Sequence, residues 1–420
     1  MVPAAERRPS LFRNRNFTML YLGQLVSQFG DWFRTVIMLV ILYELHPSEA
    51  AVGGMFIAST LPMLFGSILV GPLIDRWNKK HIMITVDILR FFTLMLVIYG
   101  VEQKSLWIIY ICSAIASLFS SAFQPARTAI IPEVIDSQDT VRATSSFAIL
   151  TSITMVTASA LGGFAADQIG ALPILWFDAI SYLVSALFIS LMSYRPRVRV
   201  AKAHVPYFKQ IKEGLDYVKG SPQLLSVFWI TFARDFVLGF VYILFSIFVL
   251  EVVQAGNTGM GVGYSVTAIA YLLGAWLIKW YFRKKSFSDE SFFKIFFPFH
   301  LLYGIGLGVM FSMTSWFWFL FVLVVAYIFA SGVNIIIETS LMTYSKAENR
   351  GRVVASWLSS SRLAYAISLP LFSAIGGYIP THLGGYLLTF ICALSALILF
   401  IWLRAKLKQH PTATKPGLEA

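Results

Sequence analysis

Charged residues and cysteines are both scarce in this sequence of 420 residues. Lys, Arg, Asp and Glu make up 13% of it, against about 25% in a typical soluble domain. The two cysteines, Cys112 and Cys392, fall inside apolar stretches, which excludes a disulfide framework and favours a packing role for both. This low charge content, with a mean hydropathy of +0.72, excludes a soluble globular domain and predicts a polytopic membrane protein.

Groups that carry catalysis are also missing. The sequence has no paired histidines, no phosphate-binding loop and no arrangement of Cys, His and Glu within its apolar stretches. A membrane-embedded enzyme needs a nucleophile with a base, or a metal cluster, at such a place. We therefore expect no enzyme activity, no cofactor and no bound metal.

Long apolar runs are what the sequence has instead, since 57% of its residues are hydrophobic. Runs of about 20 residues, each long enough to cross a hydrocarbon core about 30 Å thick, recur between short polar breaks. We predict an all-α membrane protein with twelve membrane-spanning helices, at residues 17–43, 51–72, 81–101, 106–126, 142–165, 172–193, 224–250, 259–281, 292–312, 316–342, 353–376 and 384–403.

The basic residues indicate how these spans are oriented. Lys and Arg concentrate in the two tails and the even-numbered breaks, whereas the odd-numbered breaks hold only Lys104. Because such residues are retained on the cytoplasmic side of short loops, we expect both termini in the cytoplasm. The net charge of +12 thus indicates topology, and we expect no nucleic-acid partner. Residues 1–16 show no small-residue cleavage site, so no removable signal peptide is expected.

The longest break divides the chain into two halves of six spans. We predict an N-terminal bundle at 1–193, a cytoplasmic linker at 194–223 and a C-terminal bundle at 224–420. In the linker, apolar residues recur at helical spacing, which predicts an amphipathic helix on the inner membrane surface; these residues are Phe208, Ile211, Leu215 and Val218.

The two halves carry similar sequences in the same order. FGDWFR in the first span and FARDFV in the seventh place Asp31 and Asp235 at similar depth. LFGSIL at 64–69 matches LLGAWL at 272–277, and SALGGF at 159–164 matches SAIGGY at 373–378. We therefore expect two pseudo-symmetric bundles, an arrangement that secondary transporters use.

Several motifs resemble those of one transporter family. They are GPLIDRWNKK at 71–80, VDILR at 86–90, PARTAIIPEV at 125–134, FDAISYLVSAL at 177–187 and IKEGLDYV at 211–218. The first is similar to the signature between the second and third helices of the major facilitator superfamily, and the resemblance covers essentially the whole chain. The others resemble its drug and siderophore exporter branch, which includes the enterobactin and macrolide exporters.

The signature predicts a cytoplasmic gate. Gly71 permits close backbone approach, and Asp75 can accept hydrogen bonds from the positive end of a helix. The resemblance implies that this end is the start of the eleventh span, near Val353 to Ser356, so the contact stabilises an inward-closed state. Alternatively, the charges only lie at headgroup level. The residues assigned to the gate are Gly71, Asp75, Arg76, Lys80, Asp87, Arg90 and Arg127.

Charged residues deeper in the spans predict a central cavity, because an ionisable group within a membrane usually faces a cavity or a partner. The resemblance implies that the first, fourth, seventh and tenth spans line that cavity. Asp178 and His300 fall on outer spans, and we assign them structural roles. Permanent ion pairs are the alternative to proton coupling for the residues assigned to the cavity, which are Gln24, Gln28, Asp31, Arg34, Arg234, Asp235, Asn334, Glu338 and Arg362.

Together these features predict a secondary transporter of the bacterial cytoplasmic membrane. The first hypothesis is export of an amphipathic small molecule of the drug or siderophore class by alternating access, with proton antiport. The second is a lysophospholipid or lipid-like transporter with lateral substrate entry and no obligatory proton coupling. A channel is disfavoured, because a pore does not need two related halves with a state-dependent gate. We expect substrate, protons and membrane lipids as partners, and a monomer.

Overall fold

A computed structural model describes residues 10–136, 139–194, 207–284, 289–346 and 348–409. Within these ranges the secondary structure is helical, without a strand. The α-helices are α1 Arg15–Leu45, α2 Glu49–Arg76, α3 Lys79–Glu102, α4 Leu106–Val134, α5 Thr140–Ile169, α6 Ala171–Ser190, α7 Tyr207–Lys219, α8 Pro222–Ile247, α9 Gly256–Tyr281, α10 Asp289–Met310, α11 Trp316–Tyr344, α12 Arg350–Ile375 and α13 Thr381–Gln409.

Each predicted span falls on one long helix, and α7 is the additional helix in the linker. Among the described residues, nine helices are long and apolar enough to cross a membrane. In α2 and α10 the described side chains form the shorter apolar stretches Ala50–Met63 and Ile295–Met310. Helix α12 is rich in serine and contains three arginines. The all-helical membrane fold is therefore confirmed, whereas the count of twelve spans and the orientation of the termini stay predictions.

The chain divides into two compact units. Unit 1 is Met1–Ile41 with Ala58–His204, and unit 2 is Leu42–Ile57 with Val205–Ala420, each in its described parts. Unit 1 differs from the predicted bundle at 1–193 by lacking the hairpin Leu42–Ile57. This hairpin packs within unit 2, where the Phe56 ring stacks on Tyr242 with centroids 5.4 Å apart.

In unit 1, α3 packs along α4 and α6. An apolar core joins α1 to the N-terminal halves of α3 and α5 and to the C-terminal half of α4. Small residues set the approach of α1 to α6. A Cβ on Gly30 would lie 2.3 Å from Asp178 Oδ1, and one on Gly23 would lie 3.3 Å from the Ser185 carbonyl oxygen. Glycine at these places lets polar groups of α1 and α6 meet.

In unit 2, α8 packs on α12 and α13, α10 packs on α11 and α13, and α9 packs on α11. Close contact between α8 and α12 is visible in the rings of Phe240 and Phe372, which stack with centroids 4.0 Å apart. Because α8 is buried along most of its length, its polar side chains must find partners inside the unit.

The linker helix α7 packs on the first turns of α12. The Ser356 hydroxyl donates to the Ile211 carbonyl oxygen over 2.9 Å, and Arg352 pairs with Glu213 at 3.1 Å. Val218 is buried in this contact, whereas Leu215, predicted on the same apolar face, is exposed. Helix α7 therefore covers the start of α12, which the sequence assigns to the gate. The position of α7 on a membrane surface stays a prediction.

Candidate functional site

Charged side chains of unit 1 gather in one buried group. They come from α1, α3 and α6, and α3 packs along α6. At Gly30, α1 also lies close enough to α6 for its polar side chains to reach those of the neighbouring helix. We call this group the Asp31 cluster, and its members are Asp31, Arg34, Asp87, Arg90, Asp178 and Tyr182.

Arg34 binds two carboxylates at once. Its Nε donates to Asp178 Oδ2 over 2.7 Å, and its Nη2 donates to Asp31 Oδ1 over 2.9 Å. The Tyr182 hydroxyl donates to the same Asp31 oxygen over 2.6 Å. Asp178 is fully buried, whereas the Asp31 side chain keeps 32% of its surface exposed. Asp31 is thus the carboxylate of this pair that a ligand or water can reach.

Arg90 is held mainly by uncharged groups. Its Nε donates to Ser120 Oγ on α4 over 2.7 Å. The guanidinium carbon lies 5.1 Å from the centre of the Tyr182 ring and 5.5 Å from that of Phe123, within cation–π range. Its Nη1 is 3.8 Å from Asp87 Oδ1, which is too far for a hydrogen bond. Tyr182 thus connects Arg90 to Asp31.

The structure adds partners that the sequence did not indicate. Asp87 and Arg90, which were assigned to the gate, belong to the Asp31 cluster, because their face of α3 packs on α6; their role at a gate stays a prediction. Asp178, which was assigned a structural role, is a direct partner of Arg34. Tyr182 was missed, although its position one turn after Asp178 was a usable signal.

A second polar row follows α1 toward its start. Arg127 Nη1 donates to Gln24 Oε1 over 2.8 Å, and both residues are buried. The Thr154 hydroxyl on α5 donates to Gln28 Oε1 over 3.1 Å. Arg127, which the sequence assigned to the gate, thus binds a residue assigned to the cavity. The contact is possible because the C-terminal half of α4 packs against α1.

The remaining residues assigned to the gate lie toward the C-terminal end of α2 and at the N-terminal end of α3. Lys80 Nζ donates to the carbonyl oxygens of Ser190 and Met192 over 2.7 and 2.8 Å, which places its charge at the negative end of α6. The surroundings of Gly71 and the side chains of Asp75 and Arg76 lie outside what the structure describes. The gate contact of Asp75 therefore stays a prediction.

Unit 2 contains a second buried charge pair. Arg234 and Asp235 pair at 2.8 Å, and Arg234 Nη1 also donates to Asn334 Oδ1 over 2.9 Å. Asn334 Nδ2 in turn donates to Glu338 Oε1 over 3.2 Å. The structure thus brings four predicted cavity residues into one chain of hydrogen bonds. The fifth, Arg362 on α12, is half-buried, and its role in the cavity stays a prediction.

Tyrosines extend this pair into an aromatic surface. Tyr242 on α8 stacks on Phe56 and lies 6.4 Å from Tyr365 on α12, while Tyr271 on α9 lies 5.6 Å from Tyr327 on α11, measured between ring centroids. Sequence reasoning missed Tyr271 and Tyr365, since nothing in their own helices marks them.

The family of this chain follows from comparison with known proteins. A sequence model described as Major Facilitator Superfamily matches residues 20–307 and 291–419. The chain belongs to the Major Facilitator Superfamily. The protein is a multi-pass protein of the bacterial cytoplasmic membrane.

Relatives in the superfamily come from Bacillus subtilis. The chain is 29% identical to the uncharacterized MFS-type transporter YfiS of strain 168 over 224 residues, which are 51% of this chain and 52% of that protein. It is 26% identical to the putative bacilysin exporter BacE over 278 residues, which are 64% of this chain and 67% of that protein. The match thus spans about half the length of YfiS. These relatives are transporters and not enzymes.

Solved structures share the superfamily fold. A bacterial homologue of the human lysosomal transporter Spinster matches with a TM-score of 0.72 and 14% identity, over 96% of this chain and 99% of that one. A bacterial homologue of the iron transporter ferroportin matches with a TM-score of 0.69 and 14% identity, over 94% and 99%. Both likenesses concern the fold alone.

The side chains of the site suit ion pairing and hydrogen bonding. No group of three or more His, Cys, Asp or Glu residues in the described part of the chain could hold a metal ion. What the site offers a ligand is a partly exposed carboxylate at Asp31, hydrogen-bonded to Arg34 and Tyr182. Such a carboxylate can exchange one cationic or hydrogen-bonding partner for another.

Proposed function

We propose that this superfamily member exports an amphipathic small molecule by alternating access in exchange for protons. The observation that carries the proposal is the Asp31 cluster. A carboxylate at membrane depth costs several kcal/mol unless it is paired, and carboxylates retained there commonly serve ion or proton movement. Asp31 is paired and yet partly exposed, so its partners can change during a transport cycle.

Each unit contains groups that suit one chemical feature of such a molecule. In unit 1, Asp31 can bind a polar or charged group in competition with Arg34 and Tyr182. In unit 2, the aromatic surface that includes Tyr242 and Tyr365 suits apolar groups and cations, since aromatic rings bind both. Arg234 stays paired with Asp235 and fixes the surface in place.

The relatives support export as the direction of transport. Besides the putative bacilysin exporter, the chain is 24% identical to multidrug resistance protein 1 of Bacillus subtilis over 221 residues, which are 51% of this chain and 56% of that protein. The names of these relatives describe export and drug resistance. Export of an amphipathic molecule by the present chain follows as a proposal from this likeness together with the site.

Proteoliposomes that contain a trapped pH-sensitive dye test the proposal. Ethidium, erythromycin, a catecholate siderophore and a lysophospholipid are added in turn while the internal pH is recorded. We expect one of the first three to move protons, and Asp31→Asn to abolish that movement while the protein still folds. Asp216→Asn is the matched control, because Asp216 is exposed and pairs only with the nearby Lys219 among the described contacts of α7.

The same experiment separates the alternative function. If lysophospholipid crosses the bilayer without a pH change, and the other compounds give none, the protein is a lipid-like transporter without obligatory proton coupling. If Asp31→Asn transports normally against a pH gradient, Asp31 only stabilises the fold.

A further inference from the structure

One carboxylate of the Asp31 cluster accepts no hydrogen bond. Asp87 is fully buried, and neither of its carboxylate oxygens has a hydrogen-bond partner among the described residues. An ionised carboxylate in such a place loses its hydration and gains no hydrogen bond in exchange, which costs several kcal/mol. A protonated carboxyl in the same place has no net charge and avoids most of that cost.

The groups that face Asp87 come from four helices. Arg90 lies one turn along on α3, at 3.8 Å from Oδ1. From α6, the Ser185 hydroxyl lies close to the carboxylate but outside hydrogen-bond geometry. Tyr182 of α6 and Ser120 of α4 contact Arg90, and Asp31 of α1 repels the Asp87 charge. Arg90 is thus the cation that faces Asp87, and it is bonded elsewhere.

The charges of the cluster do not balance when every group is ionised. It contains three carboxylates, on Asp31, Asp87 and Asp178, and two guanidinium groups, on Arg34 and Arg90. Arg34 donates to both Asp31 and Asp178, so these two stay ionised. Binding of one proton would neutralise the cluster, and Asp87 is the carboxylate that lacks a hydrogen-bond donor among the described residues.

We propose that Asp87 carries the proton that is exchanged for substrate. This rests on the proposed antiport and names its proton-binding residue. In the proton-loaded state Asp87 is a neutral carboxylic acid, and Arg90 remains on Ser120 and Tyr182. In the proton-free state the O–H bond has broken, the proton has passed to water, and the guanidinium of Arg90 has moved by about 1 Å to bond the carboxylate within hydrogen-bond distance. Reloading reverses each change.

Infrared spectroscopy of the purified protein in lipid tests this assignment without a substrate. We expect a carbonyl stretching band of a protonated carboxylic acid at neutral pH. The band should disappear in Asp87→Asn, remain with a shifted frequency in Asp87→Glu and remain unchanged in Asp216→Asn. Asparagine has nearly the shape of the neutral acid, so Asp87→Asn should fold. A spectrum that lacks the band in the unsubstituted protein, or keeps it in Asp87→Asn, overturns the proposal.

Transport of ethidium then tests whether the proton on Asp87 is exchanged for substrate. We expect Asp87→Asn to equilibrate ethidium across the bilayer of proteoliposomes but to lose accumulation driven by a pH gradient. Full gradient-driven accumulation in Asp87→Asn overturns the proposal and leaves antiport intact. If the unsubstituted protein moves no protons with any compound while the infrared band still disappears in Asp87→Asn, antiport fails and the protonation of Asp87 stands.

Discussion

Tyr182 donates a hydrogen bond to Asp31 over 2.6 Å while the face of its ring lies 5.1 Å from the Arg90 guanidinium carbon. One side chain of α6 therefore contacts the accessible carboxylate of α1 and the cation of α3. Because both contacts depend on the position of a single ring, a shift of α6 changes the surroundings of Asp31 and of Arg90 together. Tyr182 thus links the ion pair of Asp31 and Arg34 to Arg90.

Removing the Tyr182 hydroxyl tests that connection. Tyr182→Phe keeps the ring beneath Arg90 and loses the hydrogen bond to Asp31. We expect the free energy of unfolding to fall by about 1 kcal/mol and gradient-driven ethidium accumulation to fall several-fold. Tyr99→Phe on α3 is the control, because Tyr99 is 52% exposed. Equal transport by both variants would show that the hydrogen bond serves only packing.

The approach of α1 to α6 depends on Gly30. In Gly30→Ala the new Cβ would lie 2.3 Å from Asp178 Oδ1 and 2.9 Å from the Asp178 Cα, so the helices must separate. We expect a loss of about 1 to 3 kcal/mol in the free energy of unfolding, together with weaker proton exchange. Thermal unfolding in detergent measures the first. Gly351→Ala, where the new Cβ meets open space, should unfold at or above the original temperature; equal stability of the two variants would contradict the close approach.

The Arg234–Asp235 pair is expected to be permanent. Asp235→Asn leaves Arg234 buried without its counter-charge and should cost about 3 kcal/mol of unfolding free energy. The double variant Arg234→Met with Asp235→Asn removes both charges and should be more stable than Asp235→Asn alone. A double-mutant cycle of unfolding temperatures measures this difference. Additive effects of the two substitutions would show that the two charges do not stabilise each other in the folded protein.

Amide hydrogen exchange tests the gate that the sequence predicts for Asp75. If Asp75 accepts bonds from the first amide groups of α12, which begins at Arg350, Asp75→Asn should speed amide exchange at residues 351–352. Residues 211–218 of α7 serve as an internal reference, because α7 contacts α12 independently of α2. Unchanged exchange at 351–352 would remove Asp75 from the gate.

The candidate site was only partly visible in the sequence. Asp31, Arg34, Arg234 and Asp235 stand out because charges inside apolar runs are rare and therefore easy to find. Asp178 was equally visible but was assigned a structural role, since its helix was expected on the outside. Asp87 and Arg90 were assigned to the gate from their depth in α3. The sequence does not show which neighbouring helix their face of α3 contacts. Depth can be counted along a chain, whereas partners cannot.

The sequence by itself determined the class of this protein. Long apolar runs can satisfy their backbone groups in lipid only as helices, and the motifs identify the superfamily whose profile the chain matches. Only the tertiary structure decided that the hairpin Leu42–Ile57 packs with unit 2 and that Arg34 binds Asp178. It also decided that Asp87 is left without a hydrogen-bond donor among the described residues. The reason is physical: hydropathy and helix length are properties of local sequence, but a hydrogen bond between α1 and α6 depends on two helix surfaces and on the missing Cβ of Gly30 between them.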